Sequence, residues 1–190
     1  MSFIKVKKGV CAAKGFVANG LNCGLNSDKN KNDLALVYSE TQCQAAAVYT
    51  TNKVKGAPIQ VTKAHLEASG YTAKAVIANS KNANTCNADG IEKADMMCKL
   101  LAKELNVPQE QIVVASTGVI GQVLPIEPIK EGIPELVKGL DYNKNEEAAT
   151  AIMTTDTVKK EYAVQFEIDG KVCTIGGMAK GSGMIHPNMA

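Results

Sequence analysis

Apolar and polar positions change period along this chain, and the changes mark out its elements. From Gly90 to Pro108 the period is helical. Ile91, Ala94, Cys98, Leu101 and Leu105 share one stripe, with Glu92, Lys93, Lys99 and Lys103 off it. Asp89 stands where a cap belongs, and the pattern ends the helix before Pro108. From Tyr162 to Ile168 and from Lys171 to Ile175 the period is two, around Asp169-Gly170, which predicts a hairpin. Short apolar runs predict strands at Leu34 to Tyr38, Ala45 to Thr50, Lys74 to Ala78 and Gln111 to Ser116, the last of them buried.

The remaining segments are read from their breakers. Residues 1 to 33 are rich in Gly and Asn and predict turns and short strands, with an exposed loop at 26–33. Ala57-Pro58 opens a helix that runs to about Ser69, with Gly70 in the C′ place. His65 in that helix reads as a surface or packing residue, since nothing near it in sequence completes a dyad. Four asparagines between Asn79 and Asn87 predict tight turns, because their side chains bond nearby backbone. Pro125, Pro128 and Pro134 predict a broken pair of short helices over 124–140. Asn145 to Met153 is Ala-rich and helical, with Glu146 and Glu147 where the dipole favours anions.

Strands and helices do not alternate strictly, and the chain has no repeat and no linker. The pattern therefore predicts one α/β domain over residues 1–190. A sandwich containing antiparallel strands fits better than a doubly wound nucleotide fold.

Composition narrows the function classes. The chain has 190 residues, 45% hydrophobic and 21% charged, so its core is of ordinary size. Aromatics are 4% with no Trp, which leaves that core to Ala, Val, Ile, Leu and Met. A net charge of +2 is too balanced for a nucleic-acid surface or a polybasic membrane patch. No apolar run approaches the ~20 residues a bilayer span requires. Six cysteines occur without any C-x-x-C pair, which disfavours zinc. No secretory signal is visible, so free thiols and a cytoplasmic location are expected. Cys86 and Cys98 read as small buried residues, since no histidine lies beside either.

Three segments carry candidate chemistry. Ser116-Thr117-Gly118-Val119-Ile120-Gly121 follows a strand, and its Thr hydroxyl and Gly amide would place two donors side by side. Taken alone, it is also an ordinary turn. Thr154-Thr155-Asp156-Thr157 closes a helix and reads by itself as a polar terminal turn. Lys180 lies in a glycine-rich stretch, Gly177 to Gly183, that fails both phosphate-loop and dinucleotide spacing. That stretch runs on through Met184, Ile185, Pro187, Asn188 and Met189 to Ala190 without the fraying of an ordinary terminus, as if cut in mid-chain.

Those motifs together resemble the ornithine acetyltransferase/glutamate N-acetyltransferase family of arginine biosynthesis. The resemblance rests on G-F-V-A-N-G at 15–20, D-L-A-L at 33–36, N-S-K-N-A-N-T-C at 79–86, S-T-G-V-I-G at 116–121, T-T-D-T at 154–157 and the terminal K-G-S-G-M-I and P-N-M-A. Lys81 replaces a glycine of the family pattern. That substitution predicts a backbone with no need of a glycine-only conformation.

The resemblance implies a mixed-sheet αββα-type sandwich shared with self-processing aminopeptidases. In it this sequence would be an α chain completed by a β chain, with two pairs forming α2β2. It implies an oxyanion hole at Thr117 and Gly118, substrate contacts at Thr154 and Lys180, and self-cleavage after Ala190. The Thr that follows the cut would be the nucleophile, carrying acetyl from N2-acetylornithine to glutamate by a ping-pong cycle. No metal or bound cofactor is implied, and acetyl-CoA is left open as a co-substrate. A related self-cleaving aminopeptidase or amidase is the alternative enzyme. A non-enzymatic binding protein with a glycine-rich loop is the alternative of another class.

Overall fold

The computed structural model describes residues 2–183 together with Ile185, Pro187 and Met189. Four strands form a mixed sheet: β2 (Phe16–Leu21), β3 (Leu34–Gln44), β4 (Thr72–Asn79) and β5 (Ile112–Ser116), in the order β2-β3-β4-β5. The first two pairings are antiparallel and β4–β5 is parallel, so the crossover between them needs a helix. That helix is α2 (Gly90–Leu105). The second sheet, β1-β6-β7, is antiparallel and consists of β1 (Ile4–Lys5), β6 (Lys160–Ile168) and β7 (Lys171–Ala179).

Alternation along the strands divides the interior in two. One face of the mixed sheet presents Leu34, Leu36, Ile77, Ile112 and Val114 to α1 (Ala57–Ala68), α2 and α3 (Ile126–Lys138). The other face presents Ala18, Ala35 and Ala78 to α4 (Asn145–Ala151) and to the 3-10 turn Gly9–Ala12. Small residues are required there because the helix lies almost on the strand. A Cβ on Gly20 would come within 2.1 Å of the Glu147 carbonyl oxygen. Beyond that turn lies the second sheet. A Cβ on Gly176 of β7 would meet the Gly9 carbonyl oxygen at 2.1 Å.

Several elements match the periodicity. Helix α1 closes with a Schellman motif: the Tyr71 amide donates to Leu66 O and the Gly70 amide to Glu67 O, with Gly70 at φ +65°. The hairpin turns at Asp169 and Gly170, both at positive φ, as a type I′ turn requires. Cys98 is wholly buried, and burial pushes its thiol up to about 12.

Others differ, each for a local reason. The Gly- and Asn-rich start, read as turns and short strands, contains the six-residue strand Phe16–Leu21. β3 continues to Gln44 across a register shift, and 45–50 is not a strand. Its partner β4 begins at Thr72, so after Ala45 donates to Tyr71 O the ladder has no further edge to follow. Residues 126–138 form one helix despite Pro134. Ile126, Ile129, Ile133 and Leu136 make a single buried stripe, which outweighs the ~3 kcal/mol an internal proline costs. Ile91 is exposed, and Met97 fills the core position of α2 instead. Asp89 makes no capping hydrogen bond through its side chain. Among the described residues, no helix is long and apolar enough to cross a membrane.

Candidate functional site

The carboxyl ends of the parallel pair β4 and β5 lead into two loops that are zipped together. Ser116 Oγ donates to Asn79 Oδ1 at 2.6 Å, and the Thr117 amide donates to Asn79 O at 3.0 Å. The Val119 amide donates to Lys81 O, the Ala83 amide to Val119 O, and the Gly121 amide to Thr85 O. Asn82 Nδ2 reaches the carbonyls of Gln122 and Val123. The Asn-rich loop thus acts as a template for the S-T-G-V-I-G loop.

That template dictates the glycine. Gly118 sits at φ +137°, and a Cβ there would lie 2.2 Å from the Lys81 carbonyl carbon. Thr117 precedes it with a hydroxyl that has no hydrogen-bond partner among the described residues. A free hydroxyl beside a glycine amide at a rigid strand end is the arrangement that can stabilise a developing oxyanion.

Both residues line a cavity of about 660 Å³. Its other walls include Tyr49 and Thr50 from the segment after β3, Gly56 and Pro58 at the start of α1, and Cys86. Ile185, Pro187 and Met189 line it too. Thr50 holds this last segment: its hydroxyl donates to Pro187 O at 2.8 Å, and Thr50 bridges Met189. Ile185, Pro187 and Met189, which follow the glycine-rich stretch, therefore lie along the cavity that contains Thr117 and Gly118.

Thr154 and Lys180 come together elsewhere, around Asp156. The Asp156 carboxylate accepts from Lys160 Nζ at 2.8 Å, from the Gly181 amide at 2.7 Å and from the Thr154 amide at 3.4 Å. Lys180 Nζ lies 3.4 Å from its other oxygen and donates to Gly181 O at 3.0 Å. The Lys160 ammonium, then the Gly181 amide, hold the Asp156 carboxyl well below the usual carboxylate range. Neither Thr154 nor Lys180 lines the cavity of Thr117.

The geometry can now be set beside known proteins. The ArgJ family model matches residues 17–190. The chain belongs to the ArgJ family. It is 46% identical over 193 residues to the arginine biosynthesis bifunctional protein ArgJ 1 of Clostridium acetobutylicum, covering 100% of this chain and 47% of that protein. It is 44% identical over 191 residues to the arginine biosynthesis bifunctional protein ArgJ of Staphylococcus aureus, covering 100% of this chain and 46% of that protein. The chain thus spans about half the length of the curated relatives it matches.

Solved ArgJ-family chains are matched along nearly their whole length. The arginine biosynthesis bifunctional protein ArgJ of Bacillus halodurans superimposes with a TM-score of 0.92 at 39% identity, covering 100% of this chain and 98% of that one. Ornithine acetyltransferase of Mycobacterium tuberculosis, solved in complex with ornithine, gives 0.91 at 35% identity, covering 100% of both. The α/β fold with a mixed sheet is therefore that of ornithine acetyltransferases.

Several site-level expectations need correction. His65 does have a partner: it is buried, with Nδ1 3.1 Å from Ile112 O and Nε2 3.3 Å from Asp95 Oδ1. Helix spacing alone could not bring Asp95 of α2 onto α1. Cys86 is exposed rather than buried, because its residue sits at φ +61° in a turn that faces the cavity. Lys81 adopts φ +75°, the left-handed conformation that favours glycine. Holding it there costs ~1–2 kcal/mol, and the ladder to Val119 requires it. Asp156 and Thr50 were missed as organisers. The first was inside a quoted motif; the second carried no signal in sequence. Ala190 lies outside the described residues.

Proposed function

We propose that this chain is one half of an ornithine acetyltransferase that moves acetyl from N2-acetylornithine to glutamate. The observation that carries the reading is the cavity: Thr117, Gly118, Ile185, Pro187 and Met189 share its walls, and the Thr117 hydroxyl has no partner among the described residues. The nucleophile in this reading is the hydroxyl of a Thr that follows Ala190. The half-length match to curated relatives, beside the full-length match to solved chains, supports a precursor divided into two chains.

A companion chain also answers an exposed surface. On the outer face of β6 and β7, Tyr162 and Ile175 are more than half exposed, and Phe3 stacks on Phe166 there at 5.5 Å. Soluble chains rarely leave such a face bare. Two α–β pairs then assemble as a heterotetramer.

In the cycle, the nucleophile's oxygen attacks the acetyl carbonyl carbon of N-acetylornithine. The oxyanion takes hydrogen bonds from the Thr117 hydroxyl and the Gly118 amide. The C–N bond breaks, ornithine leaves with the proton taken from the nucleophile, and an acetyl ester remains. The glutamate amine then attacks the ester and regenerates the hydroxyl. Thr154 and Lys180 contact the amino-acid part of each substrate, Lys180 through the α-carboxylate that both share.

The test uses the full precursor, expressed and purified. Intact mass is expected to show two chains, the second beginning with Thr. N-acetylornithine without glutamate is expected to leave an acetyl group on that Thr, and glutamate to remove it. A single uncut chain, or acetyl released only to water, would overturn the reading; hydrolysis alone would favour the amidase. Acetylation by acetyl-CoA alone would add a second donor.

A further inference from the structure

We propose that Asp156 is a positioning residue for amino-acid binding, holding Lys180 and the backbone of Thr154 in one arrangement so that the lysine's remaining N–H points at a substrate α-carboxylate. The inference rests on the reading of Lys180 and Thr154 as substrate contacts. Neither the motif pattern nor the comparisons assign Asp156 a role.

The Asp156 carboxylate joins two separate stretches of chain. It lies between the turn after α4 and the segment after β7, two stretches 25 residues apart in sequence. Its side chain is only 3% exposed, yet it is not matched to a single cation. Three donors converge on it, the backbone amides of Thr154 and Gly181 and the Lys160 ammonium, and the Lys180 ammonium pairs with it at 3.4 Å. A structural ion pair needs one cation; this carboxylate also captures the two amides that flank the proposed binding groups.

The lysine shows what the arrangement is for. An ammonium has three N–H donors. One donates to Gly181 O at 3.0 Å, and the nitrogen lies 3.4 Å from an Asp156 oxygen as an ion pair. At least one N–H is uncommitted among the described residues, and the side chain is 24% exposed, enough to meet a ligand. The hydrogen bond and the ion pair together restrict the rotamer freedom a lysine would otherwise lose on binding. An α-carboxylate is common to N-acetylornithine and glutamate, so one preset donor serves both half-reactions. The neighbouring Lys160, 45% exposed, adds a second positive charge and keeps the carboxyl ionised.

The consequence is kinetic. Loss of Asp156 frees Lys180 without removing its charge. Both substrates then bind more weakly, while the oxyanion pair in the cavity is untouched. In the two-chain enzyme, Asp156→Asn is expected to raise KM for N-acetylornithine and glutamate together, each roughly tenfold, with kcat changed by less than about threefold. Combined with Lys180→Ala it is expected to add little to the effect of Lys180→Ala alone.

Gly181→Ala provides a second route that keeps the carboxylate. Its Cβ would stand 2.6 Å from Asp156 Oδ1 and displace it, and the residue's own backbone carries no positive φ. The same joint rise in KM is expected, and this variant decides the matter if Asp156→Asn proves insoluble. Unchanged KM for both substrates in these variants, with KM raised in Lys180→Ala, would overturn the role of Asp156 and leave that of Lys180 standing. Unchanged KM in Lys180→Ala would remove the reading beneath it and the inference with it. A fall in kcat at constant KM would also overturn it.

Discussion

The hydroxyl of Thr50 donates to the carbonyl of Pro187 across 2.8 Å, joining residues 137 positions apart in sequence. Thr50 stands in a segment that has already left its sheet, and with its bridge to Met189 the bond ties Pro187 and Met189 to the wall of the Thr117 cavity. If that stretch presents the peptide bond to be cut, Thr50 is part of the machinery of maturation. Thr50→Val keeps the side-chain volume and removes the donor. We expect the precursor of this variant to convert to two chains more slowly, by roughly tenfold. A time course of intact mass after synthesis measures this; conversion at the wild-type rate would make the bond incidental.

The Thr117 hydroxyl has no hydrogen-bond partner among the described residues. In the assembled enzyme, Thr117→Ala is expected to lower kcat by roughly 10²-fold with KM little changed, as for loss of one oxyanion donor. Steady-state kinetics of acetyl transfer decide it, and unchanged turnover would exclude Thr117 from the chemistry. Thr117→Ser retains the hydroxyl and is expected to recover most of the rate.

Gly118 is constrained twice, by φ +137° and by the Lys81 carbonyl group that a Cβ would strike. Gly118→Ala must open the ladder between the two loops. A cost of ~1–3 kcal/mol is expected, seen as a lower Tm together with a fall in kcat. A variant with wild-type Tm would show that the loop can move away freely.

His65 ties α1 to β5 through Ile112 O and to α2 through Asp95. Its role is packing, so His65→Ala is expected to destabilise the fold by ~1–3 kcal/mol. Chemical denaturation measures that loss. kcat is expected to stay near wild type, and a selective loss of kcat would place this pair in the catalytic path instead.

Asp156 titrates in the fold well below the ~3.9 of an unfolded aspartate. Its folded pKa is depressed, so its contribution to stability is present above pH ~4 and is lost as pH falls toward the folded value. The Tm gap between wild type and Asp156→Asn is therefore expected to be constant from neutral pH down to about 5 and to shrink in more acid solution. A gap that widens on acidification would contradict the observed contacts.

How much of this was legible beforehand differs from element to element. Helix α2, the I′ hairpin and the end of α1 depend on near neighbours in sequence: apolar spacing, Asp169-Gly170, and Gly70. These were readable. The single helix over 126–138 was not, because Pro134 argues locally against it while the buried stripe of Ile129, Ile133 and Leu136 is satisfied only in the fold, against α2 and the sheet. The strand at 45–50 failed for the converse reason. Its residues suit a strand, but β4 begins too late to pair with it.

The site divides along the same line. The motif at 116–121 identified Thr117 and Gly118, since a short strand followed by Thr-Gly is a local arrangement. The partners that fix them, Asn79 and Lys81, come from another loop. Thr154 and Lys180 were singled out, but the carboxylate that gathers them was passed over as part of a polar turn. A single polar residue shows its donors only when distant segments meet.

By itself the sequence determined the family and those conformations that near neighbours set, and it singled out the 116–121 loop as candidate chemistry, because turn chemistry and periodicity act over a few residues. The tertiary structure alone decided that Ile185, Pro187 and Met189 line the Thr117 cavity, that Asp156 gathers two lysines and two amides, and that His65 meets Asp95. Those relationships depend on chain segments brought together by burial of the two sheet faces, and no spacing along the chain encodes a distance across the fold.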